Sequence, residues 1–269
     1  MALMAVKTII KQAAHDAYEK RGLWHRLVAP LRFLMRALVP PACPVCHAPL
    51  GDDDGLCASC WLDVQFITGP VCRITGLPMP VDLGAETISP LARAHPPPYD
   101  KARAAFAYKG SGAALVKRMK FGDRPELAQL LARLIYSRLA EALPRHALLV
   151  PVPLHRRRLV WRRFNQSAEI CRHVAVLSGQ SMALHAVARI RATPRQIGLT
   201  RAGRKRNLRG AFAVPKNQAH RLKGRAVVII DDVLTTGATV EAMARTLRRA
   251  GAAPIYVVTA ARVVLPERM

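Results

Sequence analysis

Acidic side chains are scarce in this chain: 17 Asp and Glu stand against 42 Lys and Arg, a formal net charge of +25. Solubility alone does not call for such an excess. A chain this basic repels itself unless a polyanion or an anionic surface is its working partner, although a general bias toward Arg leaves the same imprint. Long apolar runs are missing as well. No stretch of about 18 uncharged apolar residues occurs, so no membrane-spanning helix is expected. The apolar start Met1 to Ile10 is followed by no small-residue cleavage site, so a secretory signal is not expected. Without an exported, oxidising setting, disulfides are a poor account of the six cysteines. Only 5% of residues are aromatic, but 51% are hydrophobic and the chain has 269 residues, enough for one large or two modest domains with a real core.

Three parts are legible. Residues 1–39 form a basic amphipathic extension, in which Arg26, Arg32 and Arg36 interrupt an apolar stretch from Leu23 to Val39. Such a segment lies on a membrane or partner groove, or packs on its own domain. Residues 40–98 hold the cysteine pairs and a Pro-rich connector. Cys43-Pro-Val-Cys46 and Cys57-Ala-Ser-Cys60 stand ten residues apart. Each pair presents two thiolates to one ion, and four thiolates make a closed tetrahedral site for a structural Zn²⁺. Trp61 and Phe66 are expected to pack beneath this ribbon. Cys72 reads as the relic of a further knuckle whose second cysteine is gone, so a second zinc is not expected, and no other internal repeat is visible. Cys171 falls in a predicted helix and reads as a core thiol.

Residues 99–269 alternate strand and helix patterns. Strands are expected at 102–108, 147–152, 186–191, 210–214, 227–231 and 255–260. Helices are expected at 113–121, 125–143, 164–178 and 240–250. The alternation predicts an α/β fold, a mostly parallel sheet flanked by helices, with ligands at the carboxyl ends of the strands. The most telling segment lies there. The β-branched run Val227 to Ile230 is followed by Asp231 and Asp232, then by Thr235, Thr236, Gly237, Ala238 and Thr239, then by a helix. A small-residue turn entering a helix gathers backbone N–H groups and the positive end of the dipole, which suits phosphate. Carboxylates repel phosphate but accept from sugar hydroxyls, or hold Mg²⁺ near a polyphosphate. Phosphate donors beside diol acceptors describe a ribose 5-phosphate.

This segment resembles the 13-residue signature that binds phosphoribosyl pyrophosphate (PRPP) in type I phosphoribosyltransferases. The resemblance implies that Asp231 and Asp232 hold the ribose hydroxyls, that residues 235–239 wrap the 5-phosphate, and that Mg²⁺ accompanies PRPP. A second run, Leu148 to Val152, ends in Pro153-Leu154-His155 and the triplet Arg156, Arg157, Arg158, whose guanidiniums gather anionic oxygens. Between Leu154 and Gly210 there are 14 Lys and Arg and one acid, Glu169. Trp161, Arg162, Arg163, Phe164, Arg206 and Arg209 offer charge and stacking surface to single-stranded nucleic acid.

The ordered set of cysteine knuckles, Pro151-Val152-Pro153-Leu154-His155, Arg163-Phe164-Asn165-Gln166, Gln196 with Leu199, Arg204 with Asn207, Phe212 and the Asp-Asp loop is similar to the ComF/GntX family. That resemblance implies a zinc ribbon followed by a type I phosphoribosyltransferase-like domain at 99–269. It places a pyrophosphate loop at Arg156 to Arg158 and a flexible lid at 196–209 with Arg201, Arg204 and Lys205. It implies PRPP and single-stranded DNA as ligands and the DNA-uptake machinery of natural transformation as a setting. The other reading is an active phosphoribosyltransferase on an unknown nucleobase-related acceptor, although no base-recognition segment is evident. A metabolic role of the GntX kind rests on the resemblance alone. Asn165 reads either as a ligand group or as a helix cap. A cytoplasmic location is expected, with peripheral membrane contact through residues 1–39.

Overall fold

The run 227–230 becomes a strand buried on both faces, and the parallel sheet is assembled around it. The computed structural model describes residues 41–51, 55–82, 84, 86–192, 203 and 207–264, with the side chains of Arg157 and Trp161 outside that set. The amphipathic extension 1–39 and most of the lid segment, including Gln196, Leu199, Arg201, Arg204, Lys205 and Arg206, lie outside it too. Backbone contacts separate two units, residues 1–57 and 58–269.

In the first unit, residues 41–50 form a tight knuckle. Leu50 N–H donates to Pro41 O, Cys43 N–H to Ala48 O and His47 N–H to Cys43 O, with Ala42 bridged to Pro49. In the second unit, residues 70–79 repeat it. Met79 N–H donates to Pro70 O, Cys72 N–H to Leu77 O and Gly76 N–H to Cys72 O, with Val71 bridged to Pro78. His47 and Gly76 share a φ of 64°. The sequence showed only Cys72 of this repeat, because backbone hydrogen bonds rather than side chains carry the likeness. Short helices follow: α1 (Ala58–Leu62) and α2 (Pro90–Ala94), the latter capped by Ser89.

The second knuckle is fastened to the sheet. Ala102 N–H, on strand β1 (Lys101–Ala107), donates to Ile74 O. Arg103 donates to the carbonyls of Arg73 and Ala102, and buried Arg262 to that of Thr75. A Cβ on Gly76 would stand 2.3 Å from Ala102 O, so only glycine fits there. Trp61 and Phe66 meet at 5.2 Å between ring centroids, tilted by 52°, and Phe66 meets Phe106 of β1 edge-on.

Then come α3 (Gly110–Phe121), α4 (Leu127–Leu139), β2 (Leu148–Pro151), α5 (Arg156–Arg162), α6 (Gln166–Ser178), β3 (Ala188–Arg189), β4 (Phe212–Ala213), β5 (Val227–Leu234), α7 (Ala238–Arg249) and β6 (Ile255–Arg262). The main sheet runs β1-β6-β5-β2, all parallel. Val227 and Ile229 of β5 join Leu148, Val150, Ile255, Val257, Met243 and Leu247 in one core. By strand alternation Val228 and Ile230 fill the opposite face, where α4 and α6 pack.

Four expectations needed adjustment. Strand β5 runs past Asp231 to Leu234 because its pairing with β6 continues through Val233 and Leu234. The strands expected at 186–191 and 210–214 shrink to two residues each and form a separate antiparallel pair beside the main sheet. The helix expected at 125–143 is α4 followed by one 3₁₀ turn, Ala140–Ala142, before Pro144. Arg156 to Arg162 coil into a helix rather than an open loop, since no Gly or Pro interrupts them after Pro153. Cys171 is a core thiol, and burial pushes it up to about 12.

The central strand sets the stability of the whole sheet. Ile229→Ala, which empties a fully buried site beneath α7, is expected to destabilise the fold by about 2–5 kcal/mol in urea titrations, with an unchanged m-value.

Candidate functional site

The pairing of β2 with β5 brings the two informative runs side by side. Pro151 lies opposite Ile230, and Val152 N–H donates to Ile230 O. The chain leaving β2 therefore emerges next to Asp231 and Asp232 at the carboxyl edge of the sheet.

Beyond Leu234 the chain turns through exposed Thr235 and then Thr236 into α7. Gly237, at φ 81°, is the N-cap and has no side chain to fill the role. The first-turn N–H groups are thus left without a side-chain cap, with the helix dipole behind them. Thr236 Oγ1 is buried and has no hydrogen-bond partner among the described residues. A buried hydroxyl without a partner is costly unless a ligand completes it. That orphan, together with the uncapped helix start, fits a phosphate group.

The acidic pair is held from three elements. Ser167, in the first turn of α6, donates its hydroxyl to Asp231 Oδ1 at 2.8 Å. The Asp232 N–H donates to the same oxygen at 3.0 Å. Lys120, near the end of α3, places its ammonium 2.8 Å from Asp232 Oδ1. Burial pushes Asp231 up to about 7, with the neighbouring Asp232 charge adding and Ser167 and Lys120 opposing. Burial works against the Lys120 ammonium, yet Asp232 and then Asp231 hold it above the ordinary lysine range. Lys120 was not among the residues expected from sequence, because one lysine among 42 basic residues carries no local signal. Its position is set at a distance: Asp63, just after α1, accepts from both the N–H and the hydroxyl of Ser111 and so anchors the start of α3.

Of the arginine triplet, Arg156 is exposed and Arg158 half-buried, and the Arg157 side chain is outside the described set. A further arginine belongs here. Arg189 of β3 is 9% exposed, and its guanidinium lies 5.6 Å from the Phe212 ring centroid. Burial lowers it to about 10, with the Arg158 charge adding and the Asp231 charge opposing. Arg189 is thus within electrostatic reach of Arg158 and Asp231. Arg191, two residues on, donates to Asn207 O.

The basic candidates divide. Arg162 lies over the ring of Phe121, which is 67% exposed, and Arg163 pairs with Asp123. Val160 beside them is exposed and Phe164 half-buried. Arg209 instead lines a separate cavity of about 490 Å³ with Arg245 and Arg249, to which no residue of the Asp231–Thr239 loop contributes. Asn165 is the helix cap: its Oδ1 accepts from Ser167 N–H, and its Nδ2 donates to Val152 O. By holding Val152 it also ties the β2 exit to Ser167.

Zinc fits the first cysteine set. The thiol sulfurs of Cys43, Cys46, Cys57 and Cys60 all lie within 4.8 Å of one another, the only group of three or more metal-ligating side chains among the described residues. The second knuckle offers no such set. Thr75 stands where Cys46 stands in the first, and Ser89 and Ala92 occupy the helix positions matching Cys57 and Cys60. One thiol, two hydroxyls and a methyl do not close a tetrahedral site. Cys72 Sγ instead accepts from Ser89 N–H at 3.3 Å.

A family described as a double zinc ribbon domain matches residues 34–90, and a phosphoribosyl transferase domain family matches 174–264. The DNA utilization protein YhgH of Salmonella typhi is 36% identical over 228 residues, covering 81% of this chain and 96% of that protein. Competence protein F of Haemophilus influenzae is 32% identical over 169 residues, covering 60% of this chain and 72% of that protein. Among solved structures, a hypoxanthine phosphoribosyltransferase of Staphylococcus aureus is 15% identical, covering 50% of this chain and 62% of that one at a TM-score of 0.31.

Two outcomes follow from this geometry. Asp231 is expected to titrate near pH 7 in carbon-detected NMR, ionised above that pH and protonated below it. Asp232→Asn, which removes the adjacent negative charge, is expected to move the midpoint down toward the ordinary carboxylate range. Metal analysis is expected to return a single zinc per chain, and the triple variant Thr75→Cys, Ser89→Cys, Ala92→Cys a second one.

Proposed function

Because this chain belongs to the ComF/GntX family, we propose that it binds PRPP at the Asp231–Thr239 loop and single-stranded DNA on the basic surface around Arg162, and that it serves DNA uptake or utilisation. The observation that carries the first part is the pairing of an uncapped helix start and a buried, unpartnered Thr236 hydroxyl with a carboxylate pair one turn of chain away. The phosphate and the sugar of one ligand would meet these two halves. Mg²⁺ would accompany the pyrophosphate, neutralising charge that the arginines alone leave exposed.

Phe121 under the Arg162 guanidinium supports the second part. An exposed ring flanked by cations accepts a base on its face and the sugar-phosphate backbone at its edge. Relatives named for DNA utilization and competence point to the same setting. The zinc ribbon supplies folding stability to a segment too small for its own core, and takes no chemical part. Among the described residues, no helix is long and apolar enough to cross a membrane.

A second reading, phosphoribosyl transfer from PRPP, is favoured by Arg189. A buried guanidinium near Arg158 suits pyrophosphate, the group that departs in such a transfer. Pyrophosphate release on adding candidate acceptors tests it.

Calorimetry of Mg²⁺·PRPP against the zinc-loaded protein is expected to show binding that the Asp231→Asn, Asp232→Asn double variant loses. Arg162→Ala with Arg163→Ala is expected to weaken oligonucleotide binding and reduce its log–log salt slope by about 1.4, leaving PRPP binding in place. An oligonucleotide affinity insensitive to salt would overturn the DNA reading.

A further inference from the structure

We propose that Lys120 is a resident cation at the sugar site: it stands in for a divalent metal on the acidic pair and, with Ser167, turns one oxygen of each carboxylate toward a cis-diol. The proposal rests on the reading of the Asp231–Thr239 loop as a ribose-phosphate site.

Two adjacent carboxylates in a half-dry cleft do not both stay ionised without a cation close by. Here the chain supplies that cation to Asp232, while buried Asp231 beside it stays above the ordinary carboxylate range. The Lys120 ammonium is 2.8 Å from Asp232 Oδ1, and both side chains are largely buried, at 18% and 11% exposure. The helix that carries it cannot drift readily. Its first turn is held by two hydrogen bonds to Asp63, and Gly122 N–H closes its last turn on Arg118 O. The ammonium is therefore positioned by the fold rather than recruited from solution.

The distribution of hydrogen bonds on the two carboxylates is informative. Asp231 Oδ1 accepts from Ser167 Oγ and from Asp232 N–H, and Asp232 Oδ1 accepts from Lys120. Neither Oδ2 has a hydrogen bond or ion pair among the described residues. On each carboxylate one oxygen, Oδ2, is left to accept from a ligand. A vicinal diol has two hydroxyl donors and matches that pair, whereas a 2-deoxy sugar satisfies only one of them and leaves the other desolvated. Lys120 and Ser167 are positioning residues on this account. They touch the carboxylates, and the carboxylates touch the sugar. A fixed ammonium also lowers the negative field at the pair, so Mg²⁺ gains little by binding there, and the sugar-phosphate end of the ligand binds without it.

The probes are ribose 5-phosphate and 2-deoxyribose 5-phosphate, titrated by calorimetry into the zinc-loaded full chain, with and without added Mg²⁺ and without chelator. The native chain is expected to bind ribose 5-phosphate equally well in both buffers and to prefer it over the 2-deoxy sugar. Lys120→Met is expected to lose at least about tenfold in affinity without Mg²⁺, about 1.4 kcal/mol, and to regain it when Mg²⁺ is added. Lys120→Arg is expected to keep the metal-independent binding. Ser167→Ala, which leaves the cation in place, is expected to narrow the ribose preference while binding stays metal-independent. A native chain that binds ribose 5-phosphate only with Mg²⁺, or a Lys120→Met variant with native affinity and no metal dependence, would overturn the role of Lys120 and leave the sugar site standing. A native chain that binds neither sugar phosphate nor PRPP would overturn the ribose-phosphate reading, and this proposal with it.

Discussion

Two like charges at the carboxyl edge of a buried strand are the constraint around which the larger unit is arranged. Asp231 and Asp232 are consecutive on the strand, the charge of Asp232 bears on Asp231, and the strand beneath them is apolar on both faces. Ser167 from α6 and Lys120 from α3 answer that repulsion. Each is held by its own anchor: Asn165 caps α6 and grips the exit of β2, and Asp63 holds the start of α3. The burial that pushes Asp231 up to about 7 also leaves the pair responsive to whatever cation or hydroxyl approaches.

The ribbon region shows a different solution to a related problem. Ten-residue knuckles are too small to hold their shape by apolar burial. The first contributes Cys43 and Cys46 to a four-thiol set that Cys57 and Cys60 complete. The second keeps the same turn, down to the left-handed residue at its tip, but has Thr75, Ser89 and Ala92 in place of three ligands. Its carbonyls are taken by Arg103 and Arg262, and its backbone pairs with β1. Guanidiniums from the sheet thus do for the second knuckle what a metal does for the first, and they fasten it to the sheet in doing so. The double zinc ribbon family match at 34–90 and the single four-cysteine set are both accounted for.

Much of this was legible beforehand because it is written in short-range patterns. The Val227–Ile230 run, the Asp-Asp-Thr-Gly loop and the C-x-x-C pairs are local signals, read from neighbours within a few residues. The parallel sheet followed from the alternation of strand and helix. The misjudged strands share a cause. The end of β5 depends on how far β6 accompanies it, and the extent of β3 and β4 depends on their pairing with each other, more than twenty residues apart in the chain. Neither partner lies within a sequence window.

The sequence by itself determined the fold class, the place of the Asp231–Thr239 loop between strand and helix, the four-thiol set and the basic excess, since each is a matter of residue type at fixed spacing. Only the tertiary structure decided which lysine meets Asp232, that Arg189 joins Arg158 near the acidic pair, that Asn165 serves as a cap, and that Arg103 and Arg262 hold a knuckle without metal. The reason is range. Charges and hydrogen bonds act over a few ångströms of space, and Lys120 and Asp232, 2.8 Å apart in the fold, lie on different elements far apart in the chain.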